Sequence, residues 1–355
     1  MGINDVLNRG WVKWMDSPEG NRDIVISSRV RLARNLNQIP FPHLLSPVNG
    51  EQCLQLIRNA WENGPGPVLA AMDIATFDNL DVLERQILAE KHLISPVHAD
   101  SDLPIKGVLV NDDGSLAVMI NEEDHLRMQC LLPGLQLKEC YNRVQELDDE
   151  FEQNLDYAFD EKRGYLTSCP TNVGTGMRAS VMMHLPAVQF AGQLTQLLHN
   201  IDQMGLAVRG LYGEGSQPIG NFFQISNQIT LGQTEEEICN YLQTVTEQVV
   251  EQESLLREKL QRDMKYQLED KIGRAYGILS NARVIASDEA LTLLSSVRLG
   301  VDLHILKGIS LSSLNELMVA VRPAHLQKLG GREMEVVERD IKRATVIKEK
   351  LTGVK

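Results

Sequence analysis

A change of texture near Thr234 limits what this chain can fold into more than any other feature. From there EEEICNYLQTVTEQVVEQESLLREKLQRDMKYQLEDKI repeats apolar residues at helical spacing among dense charge, with no strand signal. Before it, short alternating runs are broken by Gly, Pro and Asn. Over 355 residues this asymmetry predicts a mixed unit at 24–254, a helical unit at 255–355 and an N-terminal extension at 1–23.

Within the mixed unit, DIVISSRVRLARNL (Asp23 to Leu36) alternates and is β-branched, which predicts a strand. Asn49 with Gln52 resembles a capping box opening a helix that ends near Trp61, before NGPGP. Further helices are expected over Leu80 to Lys91, Tyr141 to Phe159 and Ala187 to Met204. IKGVLVNDDGSLAVMIN carries two apolar runs around Asp112, Asp113 and Gly114, a hairpin signal. Strands and helices mix without the regular alternation of a doubly wound sheet, so the expected class is α+β: an antiparallel sheet with flanking helices and an all-helical C-terminal domain. Ser287, Ser310 and Arg332-Glu333 mark helix starts in that domain.

The formal net charge of -13 opposes direct nucleic-acid binding. No apolar run approaches the roughly 20 residues of a membrane span, and MGINDVLNRGWVKW lacks the layout of a signal peptide. Five scattered cysteines without a C-x-x-C fit neither a disulfide framework nor a structural zinc site, and point to a reducing cytoplasm.

On so acidic a background, arginines grouped on one side of a strand need an anion. In SSRVRLAR, Arg29 and Arg31 are two apart and share a face, with Val30 and Leu32 on the other. Arg127, Arg178 and Arg209 each stand beside a polar or Gly-rich loop, and planar guanidinium forks suit phosphate oxygens. CPTNVGTGMRAS formally contains G-x-G-x-x-A. It lacks the preceding strand and long following helix of a dinucleotide site, and no Gly-Lys-Ser/Thr makes it a P-loop. Its glycines are expected to let the backbone approach phosphate, with Arg178 pairing to it. For the acids Glu122, Glu123 and Asp124, for Glu214 between glycines and for Cys169, solvent exposure or plain burial competes with a functional role.

SSRVRLAR, NEEDHLR, CPTNVGTGMRAS and the RG…GE…ISN run, in this order from Asp23 to about Leu255, resemble the phosphagen (guanidino) kinases. Two departures narrow the resemblance to the bacterial protein-arginine kinases. The helical N-terminal domain that encloses a small guanidino substrate is absent, and a helical C-terminal domain is added.

The resemblance implies an enzyme that transfers the γ-phosphate of ATP, with Mg²⁺, to arginine side chains of proteins. It places Ser27, Ser28, Arg29, Val30, Arg31, His92, Arg127, Arg178, Ala179, Ser180, Val181, Met182, Arg209, Gly210, Leu211, Tyr212 and Gly213 around the nucleotide. Glu122 is then the favoured base, Glu214 the second carboxylate holding the guanidinium, and Cys169 the active-site thiol. RDIKRA (Arg339, Asp340, Ile341, Lys342, Arg343, Ala344) matches a regulatory phosphoarginine-binding motif, in which two arginines four apart would grip one phosphate.

The implied partners are a CtsR-like repressor and other proteins with exposed arginines, an McsA-like activator, the ClpC-ClpP protease, and a second copy of the chain through the C-terminal domain. Neither a membrane nor a nucleic acid is among them. Two alternatives stay open: a kinase for free arginine or another small guanidino compound, and an inactive phosphoarginine-binding adaptor.

Overall fold

The computed structural model describes residues 2–17, 24–64, 66–210 and 219–353. Its centre is an eight-stranded antiparallel sheet. The strands are β1 (Val25–Arg34), β2 (Met72–Thr76), β3 (Gly107–Asn111), β4 (Leu116–Ile120), β5 (Leu126–Pro133), β8 (Met177–His184), β9 (Leu206–Arg209) and β10 (Phe222–Asn227), while β6 (Phe159–Asp160) and β7 (Gly164–Tyr165) form a separate small hairpin. In space the large sheet runs β2-β3-β4-β5-β1-β8-β10-β9, which puts the arginine-bearing β1 at its middle. Around it lie α1 (Ile3–Asn8), α2 (Pro47–Glu62), α3 (Pro67–Ala70), α4 (Val82–Glu90), α5 (Pro96–Ala99), α6 (Leu137–Glu152), α7 (Pro186–Phe190), α8 (Leu194–Gln203) and α9 (Glu235–Asp263). The C-terminal part is α10 (Lys265–Asn281), α11 (Ser287–Asp302), α12 (Leu311–Ala320), α13 (Pro323–Gly330) and α14 (Val336–Thr352).

The α+β expectation holds, and the alternation of β1 explains how. Val30 and Leu32 enter a large core with Met128, Cys130, Ala179 and Val181, closed by α6 and α9. On the opposite face a second core joins Trp14, Met15 and Ile26 to α4 and to Met318, Val319 and Ala324 of the C-terminal part. The described part of the extension before β1, residues 2–17, is therefore packed structure: Trp14 is fully buried and its indole donates to the Lys91 carbonyl at 3.0 Å.

Several boundaries differ from the sequence expectation for local reasons. Ser46, not Asn49, caps α2, because Pro47 suits the first helical turn and the Ser46 hydroxyl accepts from the Asn49 amide. The helix expected from Tyr141 to Phe159 begins at Leu137 and stops at Glu152. The one expected from Ala187 to Met204 is two helices, parted at Gly192, whose φ is +70°.

Residue 254 lies inside the unbroken α9, whose Thr234–Glu237 capping box fixes its start. The helical path breaks at Met264 instead. Glu253 of α9 accepts from the amides of Ala187 and Val188 and pairs with Arg257 at 2.7 Å, and Arg257 reaches Asp302 at 3.2 Å. His184 at the end of β8 meets the Ser295 hydroxyl of α11 at 2.8 Å, and Glu90 of α4 accepts from the first amides of α13. Buried polar contacts of this kind hold the helical part onto the sheet.

Candidate active site

The arginine face comes directly from strand register. Arg31 pairs with Gln129 on one side and Arg178 on the other, Arg29 with Leu131 and Ser180, and Ala33 with Arg127. Gln224 brings Arg209 onto the same face. Like charges directly opposite one another destabilise a sheet, so the Arg31–Arg178 pair calls for an anion. Burial, then the charges of Arg127, Arg178 and Arg209, push the Arg29 pKa down to about 10. Arg31 is likewise pushed well down by burial and by Arg29, Arg127 and Arg178, against Glu122. Guanidinium keeps its proton in proteins, so this is unrelieved repulsion rather than lost charge. Among the described residues neither Arg29 nor Arg31 forms an ion pair, and the Arg31 Nε is buried with no partner.

Arg34, on the same strand, has the opposite fate. It points to the core side, bonds Asp148 through Nε at 3.0 Å and Nη2 at 2.6 Å, and lies 3.4 Å over the Tyr165 ring. Its charge is satisfied locally.

The acids stand at the edge of the arginine face. Glu122 follows β4 and accepts from Arg127 Nη1 at 2.6 Å, the Ser95 hydroxyl at 2.7 Å and the Glu123 amide at 2.9 Å. Burial alone would push its carboxyl up, but Arg127 and these hydrogen bonds outweigh burial and hold it at about 2. Glu123 lies 3.5 Å from the same Arg127. Glu122 and Ser168 both line an open cavity of about 420 Å³. The cation wall and Glu122 thus meet at one ion pair, Arg127–Glu122, while Arg29 lines a separate narrow pocket and, among the described residues, no arginine lines the Glu122 cavity.

Asp124 explains why the Cys169 loop is nearby. Its buried Oδ1 accepts from the Ser168 amide and from Asn35 Nδ2, both at 2.7 Å, and Asn35 also bonds the Leu166 carbonyl and the His125 amide. Burial pushes the Asp124 carboxyl up against these bonds. Cys169 itself is half-buried, with its Sγ 3.0 Å from the Thr171 hydroxyl, whereas the other four cysteines are buried.

The sequence-predicted residues separate by face. Ser27, Arg29, His92, Ser180 and Met182 line one narrow pocket with Trp14, Leu131 and Gln224. His92 occupies the left-handed position after α4 (φ +62°), where its amide bonds Ala89 and the Leu93 amide bonds Leu88, an ending usually given to glycine. Gln129 clamps this turn by donating to the His92 and Leu93 carbonyls at 2.8 Å, and the imidazole packs edge-on to Trp14. Burial, then Arg29 and Arg322, push the His92 pKa down to about 3, leaving the ring neutral.

Ser28, Val30, Ala179 and Val181 point the other way, into the core. Ser28 Oγ donates to the Gly134 carbonyl and accepts from the Gln136 amide, so these four side chains do not reach the arginine face. Gly210 follows β9, while Leu211, Tyr212, Gly213 and Glu214 lie outside the described residues.

The glycines of CPTNVGTGMRAS have a different use from the one expected. A Cβ on Gly174 would stand 2.7 Å from the Thr230 carbonyl oxygen, and one on Gly176 2.6 Å from that of Ala33. Both have positive φ, and both let the chain's own backbone pack closely. Arg178 still joins the cation wall, with Nη2 3.3 Å from Asn172 Oδ1.

In RDIKRA the two arginines do not share one anion. Arg343 is buried, donates to the Val321 and Ile285 carbonyls, and pairs with Asp340. Arg339 donates to the Met334 carbonyl at 2.9 Å. Ile341 is exposed and Ala344 buried along a second cavity of about 430 Å³ that also takes Arg283 and Lys348. Lys342 lies half-buried on α14.

Ser95, Asn35, Asp124 and Gln129 were not among the predicted site residues. All act through tertiary contacts, and the only local signal is a carboxylate, Asp124, beside two others.

Comparison with known proteins decides the family. Residues 55–256 match the family described as ATP:guanido phosphotransferase, C-terminal catalytic domain, and residues 265–355 match the protein-arginine kinase McsB C-terminal domain. A protein-arginine kinase of Syntrophomonas wolfei is 60% identical over 352 residues, covering 99% of this chain and 98% of that protein. The chain belongs to the protein-arginine kinase family. A protein-arginine kinase of Pelotomaculum thermopropionicum is 49% identical over 355 residues, covering 100% of this chain and 99% of the relative.

Among solved structures, the duplicated taurocyamine kinase of Schistosoma mansoni superposes with a TM-score of 0.59 at 25% identity, over 67% of this chain and 35% of that one. A lombricine kinase superposes at 0.58 and 21% identity, over 70% and 72%. This protein-arginine kinase therefore shares the phosphagen kinase fold and adds its own helical C-terminal domain. Among the described residues no helix is long and apolar enough to cross a membrane.

Proposed function

We propose that this kinase passes the γ-phosphate of ATP to the guanidinium of arginine residues in proteins, at the junction of the arginine face and Glu122. The observation that carries the reading is the Arg127–Glu122 pair. It joins the arginines gathered around Arg29 and Arg31 to a carboxylate that lines a cavity. The residues fit a triphosphate: Arg29 and Arg31 are half-buried and form no ion pair among the described residues, and the Arg31 Nε has no hydrogen-bond partner. Bound Mg²⁺-ATP supplies the phosphoryl group and part of the charge neutralisation.

The chain's own residues do the rest. Arg29, Arg31, Arg127, Arg178 and Arg209 orient the phosphates and stabilise charge on the moving phosphoryl. Neutral His92 with Ser27 and Ser180 lines a narrow pocket of about 10 Å³ beside Arg29, and would stand near another part of the nucleotide without enclosing it. Among the described residues no group of three or more His, Cys, Asp or Glu is placed to hold a metal, so Mg²⁺ would arrive on the phosphates. Glu122 orients a target guanidinium and takes its proton as the N–P bond forms, with Glu214 as second carboxylate and Cys169 beside the substrate. A guanidinium replacing Arg127 at Glu122 as Arg127 turns to phosphate would keep both groups paired.

The reading extends to regulation and partners. Phosphoarginine would be recognised at Arg339 and Asp340, with Arg343 holding Asp340 in place. Modified proteins would pass to a ClpC-ClpP protease, with a CtsR-like repressor among the clients and an McsA-like activator. Basic clients suit a net charge of -13. Exposed Val284, Val337 and Ile341 support a homodimer through the C-terminal domain, and five free cysteines suit a cytoplasmic setting.

The test is to incubate the protein with Mg²⁺-ATP and either a basic protein or free arginine, beside Glu122→Gln. Acid-labile phosphoarginine should form on the protein and fall about 10²–10⁴-fold in the variant. Phosphate on free arginine alone would favour the small-substrate kinase, and none on either the inactive adaptor.

A further inference from the structure

The cavity beside Glu122 is larger than a guanidinium needs, and its lining is of two kinds. Glu122, Glu123, Ser168, Asn121, His43 and Lys106 are polar, while Pro42, Leu45, Leu103 and Ile105 are apolar. Leu103 is 53% exposed, and Leu44, next to the wall residue Leu45, is 68% exposed. Leucines left in water around a concave wall mark a surface that something covers.

We infer that this wall is a subsite for the residue adjoining the target arginine in a polypeptide, and that it takes an apolar side chain. The inference rests on the proposed transfer to protein arginine. Continuity names the occupant: the wall belongs to the same cavity as Glu122, so a chain whose arginine reaches Glu122 lays its neighbouring residue along it. A free amino acid would instead set its charged α-amino and α-carboxylate groups against carbon, with loss of hydration. A peptide bond carries no such charges, and an aliphatic neighbour covers Leu103 and Ile105. Lys106 disfavours a second basic residue at that place.

The test uses the full chain, Mg²⁺-ATP and blocked peptides in which one arginine sits among glycines, with leucine placed at each neighbouring position in turn. At one position leucine should raise kcat/KM about fivefold over glycine, and lysine there should lower it. Leu103→Ser, at a half-exposed position where folding is not at stake, should bring the leucine-to-glycine ratio to about one. Equal rates for leucine and glycine at every position, or a preference that survives Leu103→Ser, would overturn the subsite. Modification of a basic protein but of no peptide would overturn it too. No phosphoarginine on any substrate would strike the transfer reading itself.

Discussion

The two faces of β1 treat the same side chain in opposite ways. On the core face, Arg34 is buried and fully engaged by Asp148, two backbone carbonyls and the Tyr165 ring. On the other face, Arg29 and Arg31 are gathered with Arg127, Arg178 and Arg209, and burial and mutual repulsion act on them together. One arrangement builds the fold, and in the proposed function the other holds charge for the nucleotide. Arginine count alone would not separate them. What separates them is whether a carboxylate from a neighbouring element, here Asp148 of α6, is delivered to the guanidinium.

The largest way to break this contrast is on the core side. Asp148→Ala should lower unfolding stability by ~3–5 kcal/mol in denaturant titration, because it strands a buried guanidinium. A small loss would mean that Arg34 is no more structural than Arg31. On the open face, Arg29→Met should raise the KM for ATP about tenfold or more, since a hydrogen bond to a charged group contributes ~1.5–3 kcal/mol. Its unfolding stability should stay within about 1 kcal/mol of wild type or rise, as a repelling charge is gone.

At the proposed base, the titration of Glu122 sharpens the comparison. Its carboxyl is held at about 2 against an ordinary 4.5, so the stability it lends is present above the ordinary value and is lost as pH falls toward about 2. Removing the cation leaves burial opposed only by the remaining hydrogen bonds. In Arg127→Met the carboxyl should therefore titrate higher than in the wild type, as followed by carbon-13 NMR of labelled glutamate. An unchanged value would show that Ser95 and the Glu123 amide, and not the arginine face, hold Glu122 ionised. The smallest effect is expected at Ser95→Ala, which removes one hydrogen bond and should raise the Glu122 pKa by less than Arg127→Met does.

Much of this contrast was legible before any coordinates. A period of two fixes Arg29 and Arg31 on one side and Val30 on the other whatever the sheet becomes, so the cation face was readable from SSRVRLAR. The same rule assigns Ser28, Ala179 and Val181 to the core, although the family motif carries them beside the site. Long-range partners were not legible. Asn35 and Asp124 are 89 residues apart, and Ser95 reaches Glu122 across 27, separations that no local pattern encodes. Gly174 and Gly176 were marked as special, yet the crowding atoms belong to Thr230 and Ala33 and appear only when the chain is folded. In RDIKRA the spacing was visible, but Val321 and Ile285, which occupy Arg343, belong to other elements.

The central claim is that the open face holds its arginines for a polyanion and not for the fold. Thermal unfolding of wild type, Arg31→Met and Asp148→Ala, each with and without saturating Mg²⁺-ATP, tests it most directly. The account predicts that nucleotide stabilises the wild type by ~2.7 kcal/mol at a hundred times its dissociation constant. Arg31→Met should match or exceed wild type without nucleotide and lose most of that gain, while Asp148→Ala should start lower and keep it. An Arg31→Met protein as unstable as Asp148→Ala, yet stabilised by nucleotide as much as wild type, would contradict the account.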